Sequence, residues 1–319
     1  MSIQILHPAR VNVNPQITSV ALLNRSIPTQ NSTDQFLTLE LKNQDTKLSE
    51  ECMRGMTEFL STSSRFAVKR CETSLPAADP KSLSFGEQLN WDVVDSICQH
   101  YGTNGLLVLE YFDTDLGVTA AVSQTVGLAQ SVMNGNTNPT VTGTATATAG
   151  FRFYDNVYHT IVYQDRFGWR DNFTESASDI LFNGKPTQYN GAMLNTSYNT
   201  GKEFAAMIVP LYFWENRDIY KKGKSTLISE GYRLALTRGW EQAYQDFSQA
   251  YESATSSKTR ARAAFNAALA QEVQGNLQSA NDWIQKSYVA KPKQVALNYS
   301  NVLQRRLKEQ QQLNWQENK

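Results

Sequence analysis

The chain has 319 residues, 40% of them hydrophobic and 19% charged, with 30 Lys+Arg balanced by 30 Asp+Glu. That composition excludes a disordered or membrane-spanning chain, and zero net charge offers no global attraction to nucleic acid. The length allows two domains that each bury a core.

The charge is unevenly placed. Lys221–Lys319 hold 15 Lys+Arg against 8 Asp+Glu, which leaves 15 against 22 for residues 1–220. Such asymmetry suits an acidic partner for the basic half, or attraction between the halves; a solvated Lys/Arg-rich helical surface is the blander reading.

Residues 1–16 read as an extended tail or tether, with Pro8 and Pro15 flanking Asn12 and Asn14. They carry no basic-then-apolar leader, so the chain is read as cytosolic or as lacking a native leader. Ile17–Leu23 is a nearly continuous apolar run, expected as a strand covered on both faces. Leu48, Cys52, Met56 and Leu60 form one stripe of an amphipathic helix that ends in the Ser61–Ser64 cluster. Phe66–Thr73 alternates as a second strand. Ser84-Phe85-Gly86-Glu87 has capping-box spacing and predicts a helix with Leu89, Val93 and Ile97 buried, stopped by Gly102. Gly105–Phe112 is the third strand. The order β-α-β-α-β predicts an α/β layer with right-handed crossovers.

Residues 114–139 have no sustained period and read as a long loop. From Thr140 the chain alternates at period two: Val141, Ala145, Ala147, Phe151 and Phe153 face one way. Thr142, Thr144, Thr146, Thr148 and Arg152 face the other. With a turn at Asp155-Asn156 and a return over Val157–Phe167, this predicts an antiparallel hairpin extending the sheet, its threonines on a wet face. Residues 174–213 are mixed, with a helix over Gly201–Val209 that Pro210 ends. Lys221-Lys222-Gly223-Lys224 marks a boundary between an α/β domain at 17–220 and a helical domain at 221–319.

Within the helical domain, Ala264, Ala267, Ala268 and Gln271 put small residues on one helix face, where a second helix can approach closely. Gly275 ends that helix, Asn276 starts the next, Ala280, Ile284 and Ser287 repeat the spacing, and Pro292 closes the unit. The order resembles a tetratricopeptide repeat. Trp240, Ala243, Phe247 and Ala250 align with Leu277, Ala280, Ile284 and Ser287 at an offset of 37, against about 34 for that family. A last charged helix from Lys293 to about Gln310 reads as a cap. The fold class is therefore an α/β N-terminal domain, β-α-β-α-β plus antiparallel hairpin, followed by an all-α tetratricopeptide-like region. Two repeats are fewer than the three or so that stand alone, so the array is expected to pack on the N-terminal domain. The resemblance implies a partner-binding groove lined by Ser229, Tyr232, Arg262, Asn266, Leu269 and Glu272. Asn266 fits one place of that family's carboxylate clamp, but Ile228 and Tyr232 stand where its first Lys and Asn belong, so clamp-type capture is not expected.

Three stretches together resemble an uncharacterised Bacteroidetes lipoprotein family: Asn24-Arg25-Ser26 after the first strand, the Phe151–Tyr154 aromatic hairpin and the repeat at Asn266–Gly275. That likeness implies a periplasm-facing protein of the cell envelope, held by an N-terminal lipid anchor that this chain does not show. The β-α-β-α-β order is also similar to periplasmic lipoprotein domains of curli secretion and peptidoglycan-synthase activation.

His7, His100 and His159 lack metal-ligand spacing, and no GxSxG or phosphate loop occurs. Cys52, Cys71 and Cys98 sit in apolar patterns as small buried hydrophobes. No catalytic residue, metal or cofactor is expected. Asn24, Arg25 and Ser26 lie at the carboxyl end of a strand, where Arg25 can hold a phosphate or carboxylate; a loop with Arg25 in a salt bridge is the plainer reading. The expected function is a non-enzymatic scaffold for protein partners, with no nucleic acid. The alternative is a small-ligand or glycan module at that edge, and an unrecognised enzyme comes third.

Overall fold

The structure, a computed structural model, describes residues 1–26, 37–72, 75, 84–118, 140–176 and 187–317. The chain divides into two compact units: Ala9–Pro210, and Met1–Pro8 with Leu211–Glu317.

The first unit is built on a five-stranded sheet. Its strands are β2 (Ser19–Asn24), β3 (Ala67–Arg70), β4 (Gly105–Val118), β5 (Thr140–Asp155) and β6 (Thr160–Ser176), in the order β3-β2-β4-β5-β6. β2 pairs in parallel with β3 and β4, whereas β4, β5 and β6 are antiparallel neighbours. This is the expected α/β start extended by a hairpin. Val20 to Leu23 are all fully buried, as a strand covered on both faces must be.

Helices α1 (Leu37–Ser61) and α3 (Thr187–Ile208) pack together, and Phe204 of α3 stacks on Phe151 of β5 at 4.4 Å. Their contact depends on two glycines. A Cβ at Gly55 would overlap the Tyr198 carbonyl, and one at Gly201 the Cys52 carbonyl, so the backbones meet where side chains are absent. α3 begins well before the Gly201–Val209 span read from the sequence. Helix α2 (Trp91–Tyr101) packs Val94 and Cys98 with Ala21, Leu23, Leu106 and Val108.

Two expectations for this unit change. α2 is capped by Asn90, whose side chain accepts from the Asp92 N–H; it does not start at Ser84. Residues 85–90 are not helical, and Arg152 donates there to the Gly86 and Glu87 carbonyls at 3.1 and 3.4 Å. Leu89 is buried ahead of the helix and Val94 and Cys98 within it, while Val93 is exposed and Ile97 half-buried. The loop expected over 114–139 is strand up to Val118 and lies outside the described residues from 119 onward. In the hairpin, Ala145, Ala147, Phe151 and Phe153 are buried on one face; Thr144, Thr146 and Thr148 are half-buried on the other. The side chain of Val141 lies outside the described residues. Arg152 shares the threonine face but is buried, because the 85–90 segment covers it there.

The second unit contains five helices: α4 (Thr226–Leu236), α5 (Trp240–Glu252), α6 (Ser257–Val273), α7 (Leu277–Ala290) and α8 (Gln294–Gln316). Consecutive helices pack as antiparallel neighbours through short connections. Gly275 sits at φ 82° and lets the Asn276 N–H return to the Gln271 carbonyl, which closes α6 and starts α7. Ala264, Ala267, Ala268 and Gln271 are all buried, as are most residues of α6, so small side chains admit neighbours on several sides.

The tail expected over residues 1–16 is partly structured within this unit. Ser2–His7 forms β1, antiparallel to β7 (Leu211–Asn216), with Ile3 opposite Glu215 and Ile5 opposite Phe213. Ile3 and Ile5 join the core of Phe247, Phe265, Leu269, Ile284 and Leu303. The helical unit therefore begins at Leu211, ahead of the boundary read at residue 221.

Candidate functional site

Arg262 and Asn266 lie one turn apart on one face of α6, and Glu272, six residues further on, lies about 120° round the helix from Asn266. Each holds a piece of the chain's own extended segment between β7 and α4. Asn266 is fully buried; its amide donates to the Tyr220 carbonyl and its oxygen accepts the Tyr220 N–H, both at 2.8 Å. Arg262 donates to the Lys222 carbonyl at 3.0 Å and lies over the Tyr220 ring at 5.1 Å. Glu272 accepts from Arg217 Nε at 2.9 Å and Nη2 at 2.8 Å. As α6 runs from Arg262 to Glu272, the segment runs back from Lys222 to Arg217. The strip therefore grips an extended peptide antiparallel to the helix.

Glu272 also accepts from the Tyr299 hydroxyl at 2.6 Å and from Arg306 Nη1 at 3.5 Å. Two guanidinium groups and a phenol thus surround one buried carboxylate, the arrangement in which a buried charge is tolerable. Burial drives the Tyr299 phenol well above its ordinary pKa, and the Glu272 charge adds to the shift. Burial works against the Arg217 cation, but its bonds to Glu272 and Glu215 raise its pKa still further. Burial also pushes the Glu215 carboxyl up, yet the Arg217 bond and charge, with His7, outweigh it and hold Glu215 below the usual carboxylate range.

Of the other residues assigned to the groove, Leu269 lies in the core, while Ser229 and Tyr232 are half-buried on α4. Lys221 sits 5.7 Å over the Tyr232 ring. The sequence reading missed Arg217, Tyr299 and Arg306. Their signal was Glu272 itself, the one carboxylate in an alanine-rich helix whose neighbours are buried. Such a charge requires cations from elsewhere in the fold.

In the first unit, Asn24, Arg25 and Ser26 are engaged internally. The Asn24 amide donates to Ser49 Oγ at 3.1 Å and Glu50 Oε1 at 2.8 Å, and its oxygen accepts from the Ser26 N–H and hydroxyl. Arg25 donates to Glu110 at 3.0 Å and to the Glu87 carbonyl at 3.0 Å. Glu110 is the extra residue where the β4–β5 register shifts between Leu109 and Tyr111. It also pairs with Arg152 at 2.9 Å and accepts from the Tyr154 hydroxyl at 3.4 Å. Burial pushes the Glu110 carboxyl up against the pull of both arginines. The salt-bridged loop is the arrangement present.

His159 occupies the hairpin turn at φ 50°, stacked on Trp91 at 4.9 Å and 2.9 Å from Asp95. His7 contacts Glu215 at 2.9 Å and Glu309 at 3.4 Å. Among the described residues, no group of three or more His, Cys, Asp or Glu could hold a metal ion, and no helix is long and apolar enough to cross a membrane.

Two family descriptions match the chain: domain of unknown function DUF8603 over residues 17–220, and domain of unknown function DUF6340 over residues 229–305. Among curated proteins none matches. Solved structures give distant likenesses. PelC from Paraburkholderia phytofirmans, a dodecamer, is 8% identical with a TM-score of 0.26 and covers 66% of this chain and 98% of its own. The hypothetical protein CT253 from Chlamydia trachomatis is 13% identical with a TM-score of 0.31, over 59% and 94%. Lipoprotein GNA1162 from Neisseria meningitidis is 15% identical with a TM-score of 0.20, over 57% and 96%.

Proposed function

The chain belongs to the DUF8603 family, a family of unknown function, and on that footing we propose that it is a non-enzymatic, periplasm-facing envelope lipoprotein that works as a protein-interaction scaffold. Its five C-terminal helices are then a short array of tetratricopeptide type. The observation that carries this reading is the grip of Asn266 on both backbone groups of Tyr220. A paired bond to one residue's N–H and C=O holds extended peptide without reference to its side chain, which is how an interaction groove works. Here the chain itself fills that groove, so the partner is taken on the exposed surfaces of the helices. The envelope assignment is supported by the sequence resemblance at Asn24–Ser26, Phe151–Tyr154 and Asn266–Gly275. The ligand-edge alternative is weaker, since Asn24, Arg25 and Ser26 spend their polar groups on Ser49, Glu50, Glu87, Glu110 and one another.

Photo-crosslinking in native cells tests the reading. A crosslinking residue at Val289, which is 81% exposed on α7, is expected to trap discrete partners; one at Tyr158, exposed on the hairpin turn, is not. Loss of any trapped species at Val289 with capture at Tyr158 would overturn it. Mass analysis of the native N-terminus checks the anchor, with an acylated cysteine expected.

A further inference from the structure

The helical unit gathers positive charge at one end. Three pieces of chain meet there: the 217–222 segment, the start of α6 and the α7–α8 connection. They are tied by the Arg262–Lys222 bond and by the bond that Ser287 Oγ donates to the Ala261 carbonyl at 2.8 Å. Residues 219–229, 253–271 and 283–308 contain no Asp or Glu. Lys258, Arg262, Lys291 and Lys293 line a cleft with Tyr220 and Ser287. Among the described residues none of these four cations has a carboxylate within ion-pair distance.

The placement also runs against helix electrostatics. Lys258 lies in the first turn of α6 and Lys293 is the N-cap of α8, and neither helix has an acid in its first turn. Helix N-termini carry partial positive charge and favour carboxylates, so a lysine there opposes local stability. A local rule broken without a compensating contact is a mark of function. Four cations and the positive ends of α6 and α8 add at one spot, opposed by the negative end of α7, whose C-cap is Lys291.

We propose that this cationic end docks an acidic segment of a partner protein, with its carboxylates lying across Lys258, Arg262, Lys291 and Lys293. This rests on the scaffold reading and names the surface and chemistry of the partner. The cleft has a volume of about 10 Å³, room for roughly one water, and its Ser287 hydroxyl is already spent on Ala261. A small oxyanion therefore has no enclosed seat, and the ligand spans the mouth. Arg262 is held by Lys222 and Tyr220, which leaves most of its five donors for a carboxylate. Zero net charge over the chain and only four clustered cations suit a short acidic peptide better than a nucleic-acid backbone, which needs a longer basic track.

The test uses the full chain and a fluorescent poly-glutamate peptide, with poly-glutamine as the uncharged comparison. Wild type is expected to bind poly-glutamate in a salt-sensitive manner. The triple variant Lys258→Glu, Lys291→Glu, Lys293→Glu should weaken it by about tenfold or more. Reversing the exposed cations Arg233 and Lys308 to Glu should change it by less than about threefold. The triple variant should melt close to wild type, because the acids it places at the starts of α6 and α8 offset the one it places at the C-cap of α7. No binding, or binding equal in the triple variant, overturns the proposal. So does tighter binding of phosphatidylglycerol vesicles or of an oligonucleotide through the same lysines. If Val289 crosslinks persist while poly-glutamate fails to bind wild type, or binds the triple variant equally well, the cationic end falls and the scaffold stands. If no crosslink forms in either protein, the scaffold reading falls with it.

Discussion

Glu272 shows how a single side chain can organise a unit. It is buried, and Arg217, Arg306 and Tyr299 are all turned to it. Glu272→Leu would leave Arg217 with Glu215 alone and Arg306 with the longer Glu309 contact alone, at a cost of up to about 3–5 kcal/mol, read by denaturant unfolding. Tyr299 makes a separate test. Its folded pKa is raised above the unfolded value near 10. The stability it contributes is therefore fully present below pH 10 and lost as pH rises toward the folded value. Thermal midpoints should fall above about pH 10, and Tyr299→Phe should reduce that slope; an unchanged slope contradicts the assignment. At this scale the sequence was partly legible. Asn266 and Glu272 were singled out as groove residues, but Arg217 was not, because nothing local links a residue beyond a strand to a carboxylate 55 positions away.

At the scale of elements, legibility followed the range of the signal. The β5–β6 hairpin and the α6–α7 pair were read well, since alternation, Gly275 and the alanine spacing are local. Helix α2 was misplaced because the Ser84–Glu87 capping signal competes with a long-range one. Arg152 takes the Gly86 and Glu87 carbonyls, and Asn90 then becomes the cap. The β1–β7 ribbon had no local signal at all, since Ser2 pairs with Asn216. The α1–α3 crossing gives the sharpest prediction. Gly201→Ala and Gly55→Ala each drive a methyl into a backbone carbonyl that a rotamer change cannot move. Each should cost about 1–3 kcal/mol or more, although alanine favours an isolated helix. A stabilised Gly201→Ala protein, measured by thermal melting, would refute the close crossing.

At the scale of the molecule, the chain balances 30 cations with 30 anions yet concentrates positive charge at one end of the helical unit. The asymmetry was visible in the sequence as an excess of Lys and Arg after residue 220. Its concentration was not, because the 217–222 segment, α6 and the α7–α8 connection meet only in the fold. The same geometry changes what α6 does. Arg262, Asn266 and Glu272 form the strip read from the sequence, and the chain's own residues 217–222 occupy it. Native-state amide exchange at Tyr220 tests that occupancy most directly. Its N–H, bonded to the buried Asn266 side chain, should exchange at least about 100-fold more slowly than an open amide and lose that protection in Asn266→Ala while core amides of α6 stay protected. Exchange of the wild-type Tyr220 amide at the rate of a free peptide would mean that the groove is open, and would contradict the account.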